Sequence, residues 1–226
     1  TVEAIKDTFV NWPAWLYLRN TAIAAGGSVI LDLLLGIPAA YALARYKFPG
    51  RDQIGFYILS TRMIVPVAVS LPIFILIGKM NLLDHVLGLM LVYTAFNLAL
   101  VVWIIRSYFL QIPGEVEEAA RLDGLGEFGV LFKIAIPMSL PGIFTASIVA
   151  LIFAVNEYLL TLLITSTESS HTLSVGLAMF TGGQKGIIYN NIAVLAIFTF
   201  IPMFILTMMI QKYLSRGLSF GMVKGS

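Results

Sequence analysis

Three ionisable side chains, Asp32, Arg62 and Glu157, stand inside long apolar runs. A charge there is costly unless it is paired or used. Counted from the basic ends of their runs at about 1.5 Å per residue, Arg62 lies about 14 Å deep, Asp32 about 18 Å and Glu157 about 24 Å. Arg62 and Asp32 are level enough to form an ion pair. Asn156 and Glu157 read as lining for a polar path, and all four residues are path candidates. A second group lies between runs, in residues 106–142: Glu115, Glu117, Glu118, Asp123 and Glu127. Little else offers chemistry. The chain has no Cys, so thiolate metal sites, disulfides and Cys nucleophiles are excluded. His85 and His171 are far apart in sequence, which argues against a metal or a triad. The glycine spacing of Gly124, Gly126 and Gly129 matches a phosphate-cradling fingerprint, but an acidic helical segment precedes it where a strand is required. No G-x-x-x-x-G-K-[ST] occurs, so no ATP hydrolysis is expected from this chain. The inventory does not fit an enzyme.

The elements that carry these residues follow from composition. Hydrophobic residues make up 59%, charged residues 12%, and mean hydropathy is +0.93. A soluble core of 226 residues cannot hide that much apolar surface, and disorder is excluded by the same numbers. A net charge of +2 makes no case for nucleic acid. Five apolar runs, at about 21–44, 54–77, 86–105, 143–164 and 192–210, are long enough to cross a bilayer as helices. The expectation is an all-α polytopic membrane protein forming one transmembrane domain over 1–226. Nine of the 14 Lys and Arg residues fall on the side that includes the tail 212–226, and four fall on the other. The positive-inside rule makes the first side cytoplasmic, with the C-terminus inside. Residues 1–20 then form an external connector, with Trp12, Trp15 and Tyr17 at the interface, and 166–190 an external loop. An outside start needs an earlier crossing, so six spans are expected in the full chain. Pro66, Pro72 and Pro202 permit kinks, and Gly36, Ala40 and Ala44 make a face for close helix packing.

The segment 106–142 is expected to be a cytoplasmic loop. Pro113 suits a helix start, the following acids suit the positive end of its dipole, and Gly124 suits a left-handed stop. These signals predict a helix over 115–123 and a second, amphipathic one over 127–136 that ends at Pro137. Ala119 and Ala120 would let a partner approach the first helix closely. Spacing alone leaves open a plain linker helix lying on the bilayer.

The motif decides further. Glu118-Ala119-Ala120, then Gly124, then Ile134-Ala135-Ile136-Pro137 resembles, at every spacing, the cytoplasmic EAA signature of permease subunits of bacterial binding-protein-dependent ABC importers. Ile136 replaces the usual Leu, a change of similar volume. Similar stretches are Ala39–Gly50, Ser60–Pro66, Leu71–Phe74, Val155–Tyr158 and Arg216–Gly225, and they are similar to the carbohydrate branch typified by maltose permeases. The resemblance implies six spans in the inner membrane, a short coupling helix, and a transport subunit for a sugar or polyol. It implies four kinds of contact: a second permease subunit in a heterodimer, two ATPase subunits, an external solute-binding protein and the lipid bilayer. ATP and Mg would be held by the ATPases, leaving this chain without a cofactor. The coupling residues implied are Glu117, Glu118, Ala119, Ala120, Arg121, Asp123 and Gly124. The competing expectation is a self-powered secondary transporter of small polar solutes, which would call for internal repeats. None is visible.

Overall fold

The computed structural model describes residues 8–9, 12–182 and 189–219. Every element among them is helical: α1 (Ala14–Arg45), α2 (Arg51–Thr61), α3 (Pro66–Lys79), α4 (Val86–Phe109), α5 (Gly114–Leu122), α6 (Glu127–Met138), α7 (Leu140–Asn156), α8 (Leu159–Ile164), α9 (Leu173–Gly182) and α10 (Tyr189–Ser219). By length and composition α1 and α4 could each cross a membrane, and the count rises to four if the broken pairs α2/α3 and α6/α7 are each one span.

The breaks have local causes. Pro66 disfavours helical backbone at the residue before it, and Val65 is extended (φ −70°, ψ 122°), so α2 and α3 are separate helices. This corrects the expectation of one continuous run over 54–77. The expected run 143–164 also divides. Past Asn156 the Glu157 carbonyl accepts from the Thr161 and Ser174 hydroxyls, at 2.9 and 2.8 Å, and α8 begins at Leu159. Two boundaries shift outward. α1 starts at Ala14, so the last seven residues of the expected connector are helix, and α10 runs to Ser219, so the first part of the expected tail continues the last helix. Pro137 does not end α6, which carries a π-helical turn over Leu131–Ala135 and stops at Met138, bent by 75° from α7. The expected loop 166–190 contains α9. Its residues 183–188, and residues 220–226 of the tail, lie outside the described set, as do 1–7 and 10–11 of the connector.

The chain forms two compact units. Among the described residues, the first draws on those within Thr1–Val29, Ile64–Ala95 and Leu151–Leu206, and the second on those within Ile30–Met63, Phe96–Ala150 and Thr207–Ser226. In the first, Ala14, Tyr17, Leu173 and Leu195 make a buried cluster, and a Cβ at Gly176 would overlap the Tyr17 ring. In the second, Gly36 packs against Leu98, Val101 and Val102 of α4, with Ala40 and Ala44 buried along the same face. The small-residue stripe thus does what its spacing implied: it admits a neighbouring helix closely.

Within the first unit a carboxylate ties two loops together. Asp84, in left-handed backbone (φ 61°) after α3, accepts from the Ser166 and Thr167 amides at 2.8 and 2.9 Å, and from the Thr167 and Ser170 hydroxyls. Burial alone would raise this carboxyl, but the bonds from Ser170, Thr167 and Ser166 outweigh it and hold it well below the usual carboxylate range. The clamp is therefore intact above the unfolded value of about 3.9 and is lost only as pH falls from there through the lower folded value. His171 behaves oppositely. Burial depresses its imidazole from 6.5, with Asp84 and Glu168 opposing, so folding holds it neutral and stability falls as pH drops below about 6.5. Asp84→Asn removes the charge from four bonds. At pH 7, hydrogen exchange at the Ser166 and Thr167 amides is expected to accelerate roughly tenfold or more, since a bond to a charged group contributes about 1.5–3 kcal/mol. Unchanged exchange would show that the clamp contributes nothing.

Candidate functional site

The acidic segment folds as the punctuation implied. α5 begins after Pro113, whose backbone is extended (φ −59°, ψ 132°), and Glu115 and Glu117 occupy its first turn. It ends with Gly124 in left-handed backbone (φ 90°), while the amides of Asp123, Gly124 and Leu125 return to the carbonyls of Ala119, Arg121 and Ala120 at 3.0, 3.0 and 3.1 Å. These bonds satisfy the last carbonyls of the helix.

α5 has two faces, and they divide the expected coupling residues. Glu118, Ala119, Asp123 and Gly124 are exposed, and Arg121 is partly so. Leu122, 90% exposed, and Phe128, 79% exposed, stand beside them. Ala120 and Glu117 are turned inward, at 7% and 1% exposure. Glu117, expected among the coupling residues, is thus covered within the chain. One residue advances a helix by about 100°, so neighbours Glu117 and Glu118 point to different sides.

The Glu117 carboxylate is fully engaged. Arg45 Nε donates to Oε1 at 2.9 Å, the Tyr41 hydroxyl donates to Oε2 at 3.2 Å, and Arg121 Nη2 lies 3.7 Å from Oε2. Arg45 Nη2 also donates to the Ile112 carbonyl at 2.9 Å. A second carboxylate extends the cluster: Glu127 accepts from Arg121 at 3.0 and 3.2 Å and from the Tyr46 hydroxyl at 2.9 Å. The bonds from Arg121 and Tyr46 hold Glu127 below the usual range, and burial with the Glu127 bond raises the Tyr46 hydroxyl. Tyr41 packs edge-on to Phe109, with ring centres 5.5 Å apart. Sequence reasoning missed Tyr41, Arg45, Tyr46, Leu122 and Phe128. The spacing of Tyr41 and Arg45, one turn apart at the end of a span, was the available signal for a polar anchor.

The four candidates inside the apolar runs each have their own surroundings. Asp32 is wholly buried in α1, and neither carboxylate oxygen has a hydrogen-bond partner. Arg62 does not reach it. Its Nη1 donates to the Phe96 carbonyl at 2.8 Å and to Asn97 Oδ1 at 3.4 Å. The expected Asp32–Arg62 pair is thus not formed, because Arg62 follows the end of α2 and a depth counted along an unbroken helix does not apply to it. Asn97 Nδ2 in turn donates to the Ala150 carbonyl at 3.3 Å. Asn156 is exposed, its amide donating to the Ile152 carbonyl at 2.7 Å. Glu157 Oε1 accepts the Leu160 amide at 3.0 Å and so caps α8. No cluster of three or more potential metal ligands exists among the described residues.

Residues 33–220 match the family described as "Binding-protein-dependent transport system inner membrane component". The trehalose/maltose transport system permease protein MalG of Thermococcus litoralis is 32% identical over 224 residues, covering 99% of this chain and 80% of that protein. The trehalose transport system permease protein SugB of Mycobacterium tuberculosis is 36% identical over 200 residues, covering 88% and 73%. Among solved structures, a chain of a bacterial ABC transporter involved in the import of the acidic polysaccharide alginate is similar, with a TM-score of 0.79 and 25% identity over 93% of this chain and 78% of that one.

Proposed function

The chain belongs to the inner-membrane components of binding-protein-dependent transport systems, and from that premise we propose that it is the transmembrane subunit of an ATP-driven importer of a sugar or polyol. It is a transport subunit of the inner membrane, not an enzyme. The cargo class is supported by relatives that carry trehalose or maltose in their names.

The observation that carries the mechanism is the exposed face of α5. Glu118 and Asp123 give it an acidic surface, with Leu122 protruding from it and Phe128 exposed at the start of α6. Such a knob suits a cleft on a cytoplasmic ATPase, with Ala119 allowing close approach. The reading takes the side that carries α5 as cytoplasmic, on the bias of its Lys and Arg residues. It assigns five spans to this stretch, α1, α2 with α3, α4, α7 with α8, and α10, and six to the full chain, on apolar length, charge and resemblance. Two ATPase subunits bind ATP and Mg, a second permease subunit completes the pathway as a heterodimer, and an external binding protein delivers cargo. ATP must bind the outward-facing assembly better than the inward-facing one, because only differential affinity shifts the equilibrium. Asp32, Arg62, Asn156 and Glu157 remain the path candidates. Purification with the neighbouring ATPase subunits followed by vesicle reconstitution tests the reading. Uptake is expected only with ATP and the loaded binding protein. Uptake driven by an ion gradient with no ATPase present would favour a secondary transporter instead.

A further inference from the structure

We propose that Glu117 and Arg45 form a strut that makes α5 and the end of α1 move as one body, so that a push on α5 reaches the transmembrane helices directly through α1. The proposal rests on the ATPase-driven reading above and concerns a different surface of α5. The covalent route out of α5 is indirect: residues 110–113 lead back to α4, and α6, with its π-helical turn, leads on to α7. The polar route is short. Arg45 bridges Glu117 of α5 and the Ile112 carbonyl just before it, both at 2.9 Å. Tyr41, one turn earlier on α1, holds the other carboxylate oxygen and rests on Phe109 at the end of α4. Arg106 of α4 donates to the Leu43 carbonyl at 3.2 Å, and Tyr46 reaches Glu127 at 2.9 Å.

Burial makes this junction stiff. The Glu117 side chain is 2% exposed and that of Arg45 17%. Separating them would strand a charge away from water, which is strongly unfavourable, whereas water can replace an exposed pair. Glu117 is thus a positioning residue. It presents no surface to a docked ATPase, yet it connects the surface that does.

The test uses the full complex reconstituted with ATPases and binding protein. In Glu117→Gln, ATPase co-purification and ATP hydrolysis are expected within twofold of wild type, while uptake falls at least fivefold. The ratio of ATP hydrolysed to cargo moved rises accordingly, a readout that mere loss of stability would not change. Arg45→Glu should behave the same way, and Arg45→Glu with Glu117→Arg should recover at least half of the coupling ratio. Tyr41→Phe, which removes one bond and leaves the ion pair, should fall between. A wild-type ratio in Glu117→Gln, loss of ATPase binding in that variant, or a double variant that accumulates without recovery would each overturn the strut. Should the single variants fail to accumulate, Tyr41→Phe decides: an intermediate ratio supports the strut and a wild-type ratio overturns it. Wild-type complexes that bind no ATPase would instead defeat the functional reading itself.

Discussion

Glu118→Lys is expected to strip the ATPase subunits from the purified complex by roughly 30-fold or more, while the chain still inserts and folds. Glu118 is exposed, and Leu122, one turn on along the same face of α5, is among the most exposed large apolar side chains. Its replacement therefore disturbs no packing within the chain. If that face docks into a cleft, reversing a charge at the contact costs about 2–5 kcal/mol of affinity. About 2 kcal/mol already corresponds to the stated loss. Quantitative co-purification checks it, with the chain's own abundance as the control. Retained ATPase at wild-type stoichiometry would remove Glu118 from the contact.

Glu157→Ala is expected to reduce uptake about tenfold with little change in assembly, and Glu157→Gln separates two reasons for it. Glu157 lies at the break between α7 and α8, where a side-chain oxygen caps the Leu160 amide. Loss of a cap costs about 1 kcal/mol. Gln retains an acceptor oxygen and discards the charge. If Glu157 meets cargo or the path through its charge, Gln should resemble Ala in uptake. If capping is its whole contribution, Gln should resemble wild type. Initial uptake rates across cargo concentrations distinguish these outcomes, and unchanged kinetics in both variants would remove Glu157 from the path.

Legibility followed the physics of each element. The α5 boundaries were readable within a residue because Pro113 and Gly124 are constrained by backbone sterics alone. The stripe Gly36, Ala40 and Ala44 was readable because small side chains act through their spacing on one helix. The breaks were less so. Pro66 permits a kink, but the letters alone do not tell a kink from a full break with Val65 extended before it. The Asp32–Arg62 pairing failed because Arg62 lies past the end of α2 and donates to the Phe96 carbonyl and Asn97 instead. Depth along a helix predicts a level, not a direction. Glu117 and Glu118 were indistinguishable as letters, since only the packing of α1 against α5 decides which one is covered.

The central claim, that the exposed face of α5 is held by a cytoplasmic ATPase, has a direct measurement. The chain contains no Cys, so a single cysteine at Leu122, 90% exposed beside Glu118 and Asp123, is a clean reporter. A short bifunctional cross-linker added to sealed, inside-out vesicles is expected to join this position to the ATPase subunit. A membrane-impermeant thiol reagent added from the external side should leave it unlabelled. Labelling from the external side, or cross-linking that never captures an ATPase in an actively transporting complex, would contradict the account.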